Sequence, residues 1–154
     1  MLKKENGVTF ILLVVTMVGL VILGTAAAAA GISTYKESKV KLYLKEMDAI
    51  KEKVSLYAEK AEVNSNLDLA NLGTPAEDKE ASRYILEKVV GASEDSYEDY
   101  RYLVASNVAS ELGLENAQKD IVINIKTQKV YSIIPVQYNN ELFYSADDLR
   151  DSLK

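Results

Sequence analysis

The sequence predicts an α+β fold: a long N-terminal helix, transmembrane and then amphipathic, with a small antiparallel β-sheet head packed on it. Three observations predict it. Val8 to Ile32 is apolar, and no charge falls between Glu5 and Lys36, longer than the roughly 18 residues a membrane-crossing helix needs. From Lys36 to Val63 apolar residues recur three or four apart, the stripe of an amphipathic helix. Towards the C-terminus, β-branched runs alternate with turn signals, as hairpin strands do.

Composition narrows the function classes. The chain of 154 residues has room for one transmembrane helix and one small domain. It contains no cysteine, which excludes disulfides, thiolate metal sites and lipid attachment through an N-terminal cysteine. It contains no histidine, the commonest general base and a frequent zinc ligand. The net charge is −5, and because Lys3, Lys4 and Glu5 give the leader +1, the remainder carries −6. Such a surface repels nucleic-acid phosphates, and Arg101, Lys126 and Lys129 are too few and too interspersed to offset it. There is no Gly-rich phosphate loop and no Ser-His arrangement. The expectation is therefore a non-enzyme without cofactors.

The leader, residues 1–7, is short and basic, which favours a cytoplasmic N-terminus. A cleaved secretory signal usually has a shorter apolar region, of about 7–15 residues, and then a small-residue cleavage site. Here the small residues from Gly24 to Gly31 sit inside the apolar run, so residues 8–32 are expected to stay as a helix with the head on the outer side. Gly19, Gly24 and the alanine run would let neighbouring helices approach closely.

Lys3-Lys4-Glu5-Asn6-Gly7, followed by Val8-Thr9-Phe10-Ile11, resembles the leader and mature start of type IV pilins and pseudopilins. The resemblance covers roughly residues 3–60. It implies cleavage after Gly7 by a prepilin peptidase, methylation of the new Val8 amine, and an assembly helix that includes Thr9, Phe10, Leu12, Gly19 and Gly24. It also implies other pilin-like subunits, a membrane platform with its motor ATPase, and membrane lipid as partners. The expected locations are the cell membrane, single-pass with the head outside, and then an extracellular filament. Two positions depart from the family: Val8 stands where phenylalanine or methionine is usual, and Leu12 where glutamate is usual. The family glutamate neutralises a neighbouring subunit's amine inside the apolar filament core, where an unpaired charge is costly. Leu12 offers no such partner, so the expected role is a minor pilin or pseudopilin of a type IV pilus or type II secretion-like filament, at or near its tip. The alternative is a plain signal anchor that presents an adhesin-like, ligand-binding head.

Residues 33–63 continue the helix. Val40, Tyr43, Leu44, Met47, Ile50, Val54, Tyr57, Ala58 and Ala61 form its apolar stripe, opposite Lys39, Lys41, Lys45, Glu46, Glu52, Lys53, Glu59 and Lys60. No proline falls between Val8 and Leu72, so one rod of roughly 55 residues would extend about 80 Å. Asn64 to Gly73 is polar and turn-prone and ends it. The head, residues 64–154, then opens with a helix whose capping box is Thr74, Pro75 and Glu77. Tyr84, Ile85, Leu86 and Val89 face inward there, and Gly91 stops it.

Tyr100 to Val104 is the first expected strand, and Ser106 caps a brief helix through Leu112, closed by Gly113. Asp120–Ile125 and Val130–Ile134 form a hairpin that ends before Pro135. Val136–Tyr138 and Glu141–Tyr144 flank an Asn139-Asn140 turn, and Ser145 with Asp148 caps a final helix from Ala146 to Leu153. This sheet is also similar to the heads of pilin-like proteins of Gram-positive bacteria. Glu94, Asp95, Glu98 and Asp99 are candidate ligands for a weak calcium site, although their spacing is not that of an EF-hand. Ten tyrosines make the head's aromatics mostly phenolic. Tyr84, Tyr102, Tyr131 and Tyr144 are expected to pack in the core or sheet with their hydroxyls reaching water.

Overall fold

The computed structural model describes residues 36–154. The expected span Val8–Ile32, the processing residues Gly7 and Val8, and Thr9, Phe10, Leu12, Gly19 and Gly24 lie outside the described residues. Contacts divide the chain into two units, Met1–Lys39 and Val40–Lys154. Of the first, residues 36–39 are described, as exposed helix. Among the described residues, no helix is long and apolar enough to cross a membrane.

The architecture is α+β, with a long helix and a small antiparallel sheet. Residues 36–63 form helix α1. Its predicted stripe is the one that goes inward: Val40, Tyr43, Met47, Ile50 and Val54 are buried, with Leu44, Tyr57 and Ala58 packed beside them. Period 3.6 places these residues on one side, and the sheet supplies the matching apolar face. The sheet runs β1 (Thr74–Pro75), β2 (Tyr100–Leu103), β3 (Ile121–Asn124), β4 (Val130–Ser132), in that spatial order and antiparallel throughout.

Alternation along the strands separates two cores. Leu103, Ile121, Ile123 and Val130 join α1. Tyr100, Val122 and Tyr131 point the other way, onto Ala76, Ile85, Leu86 and Tyr97. The register makes this consistent, since Val122 pairs with Tyr102 and Tyr131, whereas Ile121 pairs with Leu103 and Ser132. A separate hairpin, β5 (Val136–Tyr138) and β6 (Glu141–Phe143), turns at Asn139 and Asn140, with φ of 50° and 64°. Two asparagines in the left-handed region make this the twist-matched turn that the sequence predicts. Helix α4 (Ala146–Leu153) follows, with Ser145 Oγ accepting from the Asp148 amide. Its Leu149 is fully buried in the α1 core.

The structure corrects two predicted caps. The Thr74-Pro75-Glu77 capping box does not form: Thr74 and Pro75 are extended and pair with Tyr102 and Arg101 as edge strand β1. A residue before proline is biased away from the α region, and an edge strand tolerates the missing amide. Helix α2 starts later, at Glu80–Tyr84, and widens into a π-helical stretch, Ile85–Val90, which Gly91 ends at φ +67°. Within it Ile85 and Leu86 are buried and Val89 is partly so, as predicted, but Tyr84 is 52 % exposed.

Nor does Ser106 cap α3 (Ala105–Leu112); the cap position is Val104, and no side chain of its own bonds there. Asp120 does that work from the position just before β3, accepting from the Ala105 amide at 2.8 Å and from the Tyr102 hydroxyl at 3.0 Å. Gly113 closes α3 at φ +74° as expected. The connector after α1 also carries more than turns, because Leu69 and Leu72 are buried in the α1 core.

Candidate functional site

Clustered charge is the place to look for chemistry in a chain without histidine or cysteine, and the structure disperses it. Glu94–Asp99 winds as 3₁₀ turns. Asp99 pairs with Lys126 at 2.9 Å, and its carbonyl accepts from the Ile125 amide. That carboxylate, hydrogen-bonded to the ammonium, holds Lys126 above the usual lysine range. Among the described residues, no three acidic side chains come together as a cation requires. Of the four candidate calcium ligands Glu94, Asp95, Glu98 and Asp99, Asp99 is engaged by a lysine. Tyr97, within the same segment, is buried, and burial pushes its phenol up, with Glu87 and Glu94 adding to the shift.

The three scattered cations are engaged as well. Arg101 donates to the Leu72 carbonyl at 2.7 Å and to the Gly73 carbonyl at 3.0 Å. Lys129 stands 5.7 Å from the Tyr131 ring centre. Glu46, predicted on the solvated side of α1, instead accepts from the Gln118 amide at 3.2 Å and pairs with Lys119 at 3.8 Å. Lys119 in turn lies 5.2 Å over the Tyr43 ring.

Tyr43, on the stripe of α1, is buried with its hydroxyl engaged by two distant elements, and its spacing on the apolar stripe gives no hint of it. Its hydroxyl lies 2.9 Å from Ser132 Oγ and 3.2 Å from the Phe143 carbonyl, while Ser132 Oγ donates to the Ile134 carbonyl at 2.8 Å. One phenol thus joins α1 to β4 and β6. Burial pushes it up to about 12.

Of the tyrosines predicted to pack, Tyr131 is buried and Tyr102 and Tyr144 are half-buried. Tyr84 and Tyr144 approach each other, ring centres 6.4 Å apart and tilted by 49°. Burial raises the Tyr144 phenol, and Tyr84 beside it adds to the shift. A shallow depression of about 260 Å³ between α1 and the end of α3 is lined by Leu56, Tyr57 and Leu112 with Lys53, Lys60 and Glu111.

No family model, curated protein or solved structure matches this chain. The functional reading therefore rests on the residues themselves. Within the described residues they build contact surfaces and braces between elements.

Proposed function

We propose that this chain is a structural subunit of a pilus-like or secretion-like filament: a minor pilin or pseudopilin inserted in the membrane with its head outside and later packed through its N-terminal helix. One observation carries the reading. A basic leader ending in Gly7 precedes a stretch without charge from Asn6 to Tyr35, which leads directly into a helix that carries the head. Helix α1 packing on an antiparallel sheet agrees with this. Leu12 in place of a carboxylate argues for a position at or near the tip, because such a subunit cannot neutralise the amine of the one ahead.

Mass spectrometry of the native protein tests processing, with an N-terminus at methylated Val8 as the expected result. An intact Met1 start would instead indicate the second reading, a signal-anchored surface protein. The exposed Tyr84 beside Tyr144 favours that reading, as a phenolic surface suits a ligand-binding head. Position is tested separately. Leu12→Glu should move the subunit from trace amounts into the filament shaft, and unchanged incorporation would remove the tip assignment.

A further inference from the structure

Among the described residues Tyr84 is the one exposed tyrosine, and it stands beside another tyrosine. The Tyr144 ring centre is 6.4 Å away, a ring contact by distance. The backbone under each ring is held in place. Tyr84 is the last residue of α2, and Ile85 and Leu86, which follow it, are buried. Tyr144 comes directly after β6, and its carbonyl accepts from the Ser132 amide of β4 at 2.7 Å. Both segments border the second core, where Tyr144 packs partly buried against the cluster that contains Ile85, Leu86 and Tyr131. The pair thus joins stretches of chain far apart in sequence, with one phenol open to solvent and the other sheltered behind it.

One reaction uses two adjacent phenols and needs only one of them well exposed. We propose that Tyr84 and Tyr144 are a site of oxidative cross-linking, joined within one chain as dityrosine. The oxidant is hydrogen peroxide acting through a haem peroxidase. Each phenol gives up one electron and its proton to become a phenoxyl radical. The radicals join ortho carbon to ortho carbon. The two hydrogens on those carbons leave as protons, and the oxygens regain protons as the rings become aromatic again. Overall the protein loses two hydrogens, and one peroxide is reduced to two waters. The rings have to close further before the bond forms, and side-chain rotation at exposed Tyr84 supplies that movement within nanoseconds.

The link closes a loop of about 60 residues, as a disulfide would, in a chain that contains no cysteine. It fastens the end of α2 to the end of β6 across the second core and so acts on the stability of the head. It holds for a filament subunit and for a signal-anchored protein alike, since it needs only the folded head and the oxidant.

The full-length chain, held dilute in detergent, is treated with hydrogen peroxide and a haem peroxidase. The expected product is a monomer lighter by two hydrogens, with dityrosine fluorescence. Trypsin should then release Tyr84–Lys88 joined to Val130–Arg150 through Tyr144. Tyr84→Phe and Tyr144→Phe should each abolish this link, and Tyr57→Phe should leave it unchanged. Because Tyr84 is exposed, unoxidised Tyr84→Phe should melt as the parent chain does, which separates a lost link from a lost fold. The cross-linked head should melt about 10 °C higher than the untreated one. Links mainly at other tyrosines, links only between chains, an undiminished yield in Tyr84→Phe, or an unmoved melting temperature would each overturn the staple.

Discussion

Tyr43 shows what a single residue contributes. Its phenol is raised from 10 to about 12 chiefly by burial. Between those pH values the unfolded chain gives up the proton while the folded one keeps it, so the unfolded state binds fewer protons and stability falls as pH rises. Denaturant unfolding of residues 40–154 should show about 2 kcal/mol of this loss between pH 10 and 12 from Tyr43. Tyr43→Phe should remove that part of the slope and cost about 1 kcal/mol at pH 7. A pH slope unchanged in the variant would place the titration elsewhere, for instance on Tyr131, which burial also raises. Gly73 is constrained by space. At φ +53° a Cβ would sit 2.1 Å from the Tyr102 carbonyl oxygen. Gly73→Ala should therefore destabilise by about 2–4 kcal/mol, measured as a shifted denaturation midpoint.

Helix α3 depends on a carboxylate fifteen positions away in the chain, as Asp120 caps the Ala105 amide and holds the Tyr102 hydroxyl. Asp120→Ala should cost about 1–2 kcal/mol and speed amide exchange at the start of α3; unchanged exchange would show the cap to be idle. Helix α4 offers a contrast between apolar and ionic contacts with α1. Its ion pairs, Asp147 with Lys51 and Arg150 with Asp48, have side chains about 40 % exposed. Asp147→Ala should cost below about 1 kcal/mol. Leu149 is fully buried, and Leu149→Ala should cost about 2–5 kcal/mol. Equal losses for the two would refute this ranking.

For the molecule as a whole, the two apolar cores flank one sheet, and α1 covers only one of its faces. The amphipathic helix is thus a wall of the head's own core, packed in one unit with everything from Val40 to Lys154. Removing residues 40–63 should leave Ile121, Ile123, Val130 and Leu149 without a cover and unfold the head, seen as loss of cooperative thermal unfolding. A head that still melts cooperatively without them would refute the shared core.

Periodicity and turn chemistry by themselves determined the α1 stripe, the strand runs, the Asn139-Asn140 turn, the Ser145 cap and the Gly91 and Gly113 stops. Each of these is settled within a few neighbouring residues, where backbone preference and side-chain spacing suffice. Only the tertiary structure decided that Thr74 and Pro75 join a sheet, that Asp120 caps α3, that Glu46 turns inward and that Tyr43 binds Ser132. In these cases a partner distant in the chain outbids a local preference worth about 1 kcal/mol, and no spacing in a single sequence records which distant group arrives. The same reason applies to Asp99, whose spacing in the chain does not record that the folded backbone brings it to Lys126.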